Sequence, residues 1–274
     1  MLAACYATPM NIKDVIATVN RMQVEGVIER YAIGGAVAAT FYLEPVSTLD
    51  VDIFVTFRAE PGSLLISPQP IFDYLTAHPE DGAIFNGGMA AFSELENPLI
   101  AAAYDFPAGA RVVDVGGGRG GFIAAVMRAH PSVRGVLYDL PEVVRDAGYL
   151  RAAGVVERCE ILGGSFFESV PRAADVYVVK RILHDWSDET CIQILANVRR
   201  AMHAGGRVLA IDAVLAPRGM PDMNKVSDLL MMVVCPGRER TEHEFRDLFA
   251  AAGLRLTRVV PTPSSLSIVE GVTA

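Results

Sequence analysis

The run RVVDVGGGRGG at residues 111–121 decides the fold. Its first half is a β-branched apolar strand, its second a cluster of glycines, and the helix-length pattern FIAAVMRA follows at once. Glycines there let the chain turn tightly, admit a ligand without a Cβ clash and bring the helix close to the strand. A second strand, GVLYD at 135–139, ends in Asp139, about 20 residues beyond the loop, where an acidic side chain accepts both ribose hydroxyls of a nucleoside. Strand, glycine loop, helix and acidic residue together predict an adenosine-containing cofactor. The plain alternative is a tight strand-to-helix turn that holds nothing.

Working outward, RVVDVG, GVLYD, CEIL (159–162), DVYVVK (175–180) and RVLAIDA (207–213) alternate with helix-length amphipathic segments. Parallel strands need helical crossovers that cover both faces, so the alternation predicts an α/β, Rossmann-like, doubly wound and mostly parallel sheet. Helices are expected near 121–130, 142–152, 188–203 and 242–252, with Gly205 and Gly253 as C-terminal stops. LRLTRVV (254–260) and SLSIVEGV (265–272) form a hairpin at the sheet edge, with Pro261 and Pro263 in its loop, and raise the strand count to seven.

Upstream, residues 71–106 are Ala-rich, with Phe72, Leu75, Ile84, Phe85, Met89 and Phe92 at helix-like spacing, and read as connecting helices. Before them, 10–29 has an amphipathic helix pattern, 31–39 carries Gly34-Gly35, and DVDIFVTF at 50–57 is a strand. EPGSLLISPQP at 60–70 marks a boundary. The expected division is a small N-terminal α/β segment at 1–70, connecting helices at 71–106 and a catalytic domain at 107–274.

Twenty-four Lys and Arg against 32 Asp and Glu give a formal net charge of -8 over 274 residues, a field that repels phosphate backbones and anionic lipid, so neither nucleic acid nor membrane is expected as a partner. With 51% hydrophobic and 20% charged residues the chain can bury a full core. Its longest apolar stretch, 31–43, is shorter than the roughly 20 residues that cross a bilayer. Four scattered cysteines without a CxxC pair or a zinc-ligand His read as buried thiols in a reducing cytoplasm, and no metal is expected in the catalytic region.

The loop alone leaves the cofactor open, because NAD uses a similar one. Asp114, two positions before the first glycine, repels a pyrophosphate but attracts the cationic sulfonium and ammonium of S-adenosylmethionine. That favours a methyl donor.

GGSFFESVP (163–171), DVYVVKRILHDWSDE (175–189), GRERT (237–241), DVGGG (114–118) and DLP (139–141) follow one another in an order and spacing that resembles the small-molecule O-methyltransferases of bacteria and plants, from about residue 71 to the C-terminus. The resemblance implies a class I methyltransferase fold, S-adenosylmethionine as cofactor, a small phenolic or polyketide acceptor and room for a homodimer. It places Gly116 and Gly118 at the methionine part of the donor, Asp139 at the ribose, Leu140 near the base, Phe166 against adenine and Lys180 beside the nucleoside. Ser165 stands where many relatives carry Asp, and offers a hydrogen bond without a charge. His184 matches the general base, flanked by Asp212 and Glu239; a near-neutral imidazole suits removal of a phenolic proton. Asp185 either orients His184 or caps the next helix, and Met231, Met232 and Phe167 either line the acceptor pocket or belong to the core.

The larger helical N-terminal domain of that family has no counterpart pattern here. Residues 10–75, with their GG turn and Asp50-x-Asp52 pair, resemble part of a nucleotidyltransferase fold instead. Two carboxylates on one strand face hold Mg²⁺ against a phosphate, or are a solvated strand edge. Donor binding without transfer, nucleotidyl transfer and NAD chemistry are the competing functions.

Overall fold

A computed structural model of the chain describes residues 20, 30–34, 52–56, 93–145, 147–217, 220, 222–234 and 236–274. The chain divides into two units, Met1–Pro68 and Gln69–Ala274. In the first, β1 (Arg30–Gly34) pairs antiparallel with β2 (Asp52–Thr56), so that Gly34 stands opposite Asp52. Within the strand expected over 50–57, the described residues 52–56 are strand. Asp50, the linker at 60–70, residues 71–92 and all of the expected helix at 10–29 except the helical Asn20 lie outside the described residues.

The second unit opens with helix α1 (93–102). Strands β3 (Arg111–Val115), β4 (Arg134–Asp139) and β5 (Cys159–Gly163) follow, with α2 (Gly121–Ala129) in the first crossover and α3 (Pro141–Val144) and α4 (Gly148–Ala152) in the second. Next come β6 (Val176–Lys180), α5 (Asp188–Ala201), β7 (Arg207–Asp212), β8 (Val214–Leu215), α6 (Asn224–Val234), β9 (Arg240–Thr241) and α7 (Glu242–Ala251). A hairpin of β10 (Leu254–Pro261) and β11 (Ser267–Thr273) closes the chain. The sheet has seven strands in the order β10-β11-β7-β6-β3-β4-β5, parallel from β7 to β5 and antiparallel at the hairpin. This is the seven-stranded, doubly wound arrangement expected from the alternation of runs.

The parallel strands are near-continuous apolar runs because helices cover both faces. Successive side chains alternate, so Val112 joins Phe122, Ile123, Val126 and Met127 on one side while Val113 joins Ile194, Leu195, Val198 and Phe249 on the other. Ser187 caps α5 by accepting from the Thr190 amide, and Thr241 with Glu244 forms a capping box on α7. Gly205 and Gly253 take φ of 89° and 74°, the left-handed turn that stops a helix.

Three elements differ from the sequence expectation. The helix expected over 142–152 is broken into α3 and α4, with Ala147 at ψ 41° between them and a glycine opening the second piece. Helix α6 was not foreseen, since its LLMMVV run carries no period that separates helix from buried strand. Pro261 ends β10 instead of sitting in the loop, which an edge strand tolerates. Of the cysteines described, Cys159 is half-buried and Cys191 buried, both as free thiols.

The chain builds β3, β4 and β5 in one direction and then crosses to place β6 on the other side of β3. Open α/β sheets bind ligands outside the carboxyl ends of the strands at such a reversal. Asp114 and the glycine loop end β3, Lys180 ends β6, and His184 lies four residues beyond it.

Candidate active site

On the β3 side, the amides of Gly116 and Gly117 both donate to the Tyr138 carbonyl, at 2.8 and 3.2 Å, and pin the loop to β4. Asp139 is held from two directions: the Gly118 amide donates to Oδ2 at 2.8 Å and the Leu140 amide to Oδ1 at 2.7 Å. Burial nonetheless raises its pKa above the ordinary carboxylate value. Gly116 has φ 70°, and a Cβ there would lie 2.5 Å from Ile182 Cδ1 and 3.3 Å from Phe166 Cε1. At Gly118, with φ 57°, a Cβ would meet nothing within 4 Å, so the loop opens to free space on that side. Beneath it, burial pushes the Asp114 carboxyl up to about 7 against the pull of Lys180, and its Oδ2 has no hydrogen-bond partner among the described residues.

Around this loop, Leu140 is 43% exposed at the rim and Phe166 packs on Phe167 with ring centroids 4.6 Å apart, Phe167 standing edge-on to Trp186 at 4.9 Å. Ser165 Oγ accepts from the Phe167 amide at 3.3 Å, so part of its hydrogen-bonding capacity serves its own turn. Asn197, which sequence reasoning passed over, donates from Nδ2 to the carbonyls of Phe166 and Phe167 at 2.8 and 2.9 Å and fixes that turn from α5. A buried Asn in a helix that is otherwise apolar on its covered face was the available signal. Lys180 donates to Ser93 Oγ at 3.3 Å; burial brings it down to about 8 between the carboxylates of Asp114 and Asp212. Arg181, at φ 53°, forms a two-pronged bond with buried Glu96, which also accepts from Ser265.

On the β6–β7 side, His184 is 5% exposed in the short 3₁₀ turn Leu183–Asp185. Its Nδ1 lies 3.1 Å from Glu239 Oε1, and its Nε2 3.5 Å from Asp185 Oδ1. Ser187, not Asp185, is the N-cap of α5, so the geometry assigns Asp185 to the imidazole. Glu239 is itself oriented: Ser227 Oγ donates to Oε1 at 3.0 Å and the Glu239 amide donates to Asp228 Oδ1 at 2.8 Å. Asp212 is fully buried at the end of β7 with neither oxygen partnered among the described residues. Burial by itself would depress His184, but the Glu239 bond and the charges of Asp212 and Asp185 prevail and push it up to about 9. The near-neutral imidazole expected from sequence is thus not what the site holds: three carboxylates keep it protonated. Burial drives Asp212 up to about 7, opposed by the His184 charge. Met231 is partly buried on α6, and the Met232 side chain lies outside the description.

The eleven residues singled out in the sequence therefore fall on the carboxyl ends of β3, β4, β5, β6 and β7 and the segments that follow them, with Glu239 just before β9. The donor set is one of carboxylates, backbone amides, aromatic faces and an open glycine cradle. Asp114 beneath the loop is a carboxyl that suits a cationic ligand better than a pyrophosphate, whereas Asp139 serves the ribose of either kind of nucleoside. Among the described residues no group of three or more His, Cys, Asp or Glu is arranged to hold a metal ion, and no helix is long and apolar enough to cross a membrane.

Comparison with known proteins gives a consistent result. The family model described as O-methyltransferase domain matches residues 63–255. The phenazine O-methyltransferase of Lysobacter antibioticus is 44% identical over 200 residues, covering 73% of this chain and 59% of that protein. The mitomycin biosynthesis 6-O-methyltransferase of Streptomyces lavendulae is 43% identical, covering 67% of this chain and 52% of that one. Among solved structures, the methyltransferase of calicheamicin biosynthesis in its S-adenosylhomocysteine-bound form superposes with a TM-score of 0.69 at 45% identity, over 75% of this chain and 61% of that chain. The methyltransferase of neocarzinostatin biosynthesis, solved with S-adenosylhomocysteine and 1,4-dihydroxy-2-naphthoic acid, superposes at 0.69 with 35% identity, over 75% and 62%. The chain spans only 52% to 59% of the length of these two curated relatives. By the match to more than half of its residues, the chain belongs to the O-methyltransferase family.

Proposed function

We propose that this chain moves a methyl group from S-adenosylmethionine to a hydroxyl of a small aromatic metabolite, with His184 taking the proton. One observation carries the reading: a carboxylate-held imidazole and a glycine-and-aspartate cradle lie on either side of the β3–β6 reversal. The solved relatives holding S-adenosylhomocysteine, one of them with a dihydroxynaphthoic acid, support the donor and an aromatic acceptor. A negatively charged chain acting on small molecules in the cytoplasm fits the composition.

Gly118 leaves space for the methionine moiety, while Gly116 lets the loop close onto Ile182 and Phe166; Asp114 beneath the loop would attract the donor's cationic ammonium, and the amides on Asp139 aim that carboxylate for the ribose hydroxyls. Phe166 offers a face to adenine, with Leu140 at the rim, Ser165 as a neutral polar neighbour and Lys180 beside the nucleoside. S-adenosylmethionine, when bound, supplies an activated methyl whose leaving group needs no proton. The protein's task is then to position a hydroxyl and remove its proton. The form that takes the proton is the neutral ring, whose share grows as pH approaches 9; there Glu239 on Nδ1 sets the tautomer that leaves Nε2 as the accepting nitrogen, and Asp212 and Glu239 stabilise the imidazolium that results.

Incubating the full chain with methyl-labelled donor and a panel of phenols, naphthols and hydroxyphenazines tests this. Label should pass to at least one hydroxyl, and His184→Ala should lower the rate by about 10²- to 10⁴-fold with S-adenosylhomocysteine binding retained. No transfer by the native chain, or a fully active His184→Ala, would contradict the proposal.

A further inference from the structure

The five residues Gly237–Thr241 lie directly behind the turn that carries His184. Gly237 is buried, and a Cβ on it would collide with the main chain of His184, Asp185 and Trp186, so only glycine allows the two backbones to approach this closely. Arg240 is 1% exposed, and each of its five N–H groups has a bond. Nη1 donates to the Leu183 carbonyl at 2.8 Å and to the Arg238 carbonyl at 3.2 Å; Nη2 donates to the Trp186 carbonyl at 3.0 Å and to Asp188 Oδ1 at 2.7 Å; Nε donates to the same Asp188 oxygen at 2.9 Å. The carbonyls of Leu183 and Trp186 bracket the His184–Asp185 pair.

We infer that Arg240 is a positioning residue for the base: by holding the carbonyls on both sides of His184 it fixes the turn from which the imidazole reaches Glu239. Glu239 and Arg240 are neighbours in extended chain, so one takes the ring and the other the main chain behind it. A lysine cannot substitute, since the guanidinium's planar fork spans both carbonyls and Asp188 at once whereas an ammonium is a point donor. Among the described residues Asp188, on α5, is the charged partner of the buried guanidinium, and it also accepts from Arg238, which links α5 to the same segment. The inference rests on the reading of His184 as the proton acceptor.

The test uses the full chain labelled with ¹³C,¹⁵N-histidine, in native form and as Arg240→Lys and Asp188→Asn, with the His184 signal assigned by its loss in His184→Ala. The groups facing His184 are Glu239 before β9, Asp212 at the end of β7 and Asp185 in its own turn. Both variants should bind S-adenosylhomocysteine as the native chain does. In Arg240→Lys the His184 titration should move down toward an ordinary histidine, and kcat should fall about 100-fold with little change in donor KM, the cost of a displaced reacting group. Asp188→Asn should shift both in the same direction and keeps the comparison available if the lysine variant does not fold. A His184 titration and kcat identical to native in the folded variants would overturn the inference. Should the native chain transfer no methyl group, the functional reading fails, while the titration still decides whether Arg240 places the imidazole.

Discussion

A single histidine shows how strongly surroundings govern chemistry here. His184 is almost fully buried, which favours the neutral ring, yet Glu239, Asp212 and Asp185 make its protonated form the stable one. Its folded pKa of about 9 lies above the 6.5 of an unperturbed ring, so its contribution to stability is complete below 6.5 and is lost as pH rises through 9. Asp114 and Asp212, raised to about 7 by burial, cost stability when ionised, a cost relieved as pH falls below 7, so they too lower stability as pH rises; Lys180, lowered to about 8 by burial, costs stability when protonated and opposes them weakly as pH rises through 8. Between about pH 7 and 8 the melting temperature should therefore fall in the native chain, and fall less in Glu239→Gln, where the strongest support for the imidazolium is gone. Calorimetry at the two pH values checks this; a native melting temperature that rises across the interval would count against the assignment. The residue types of this cluster were legible in HDW, GRERT and the Asp of RVLAIDA. Their protonation was not, because it depends on burial and distance between segments some 55 residues apart.

At the level of elements, the strand runs and glycine stops were readable because parallel strands covered on both faces are apolar throughout and a left-handed stop demands glycine. Helix α6 and the break between α3 and α4 were not, since they turn on tertiary packing and not on local period. The supporting contacts were equally hidden: Asn197 reaches from α5 to two carbonyls of the Phe166–Phe167 turn, a bond that no motif announces. Removing it leaves two carbonyls short of a donor in a part-buried turn. Asn197→Ala should weaken S-adenosylhomocysteine binding about tenfold and lower stability by about 1–3 kcal/mol, read by titration and thermal melting. Unchanged affinity would show that the turn holds its shape without α5.

On the scale of the whole molecule, the unit Gln69–Ala274 carries the seven-stranded sheet and every site residue, while β1 and β2 belong to Met1–Pro68. The strand order was recoverable from sequence only as a class; the reversal between β3 and β6 that brings Asp139 and His184 to one sheet edge is a property of the assembled sheet. The central claim is that this edge binds S-adenosylmethionine through its glycine loop and Asp139. Calorimetric titration of the full chain with S-adenosylhomocysteine, beside Asp139→Ala, tests it most directly. The account predicts saturable binding at one site per chain, weakened about tenfold or more when the charged acceptor for the ribose hydroxyls is removed; no binding by the native chain, or equal binding by Asp139→Ala, would contradict it.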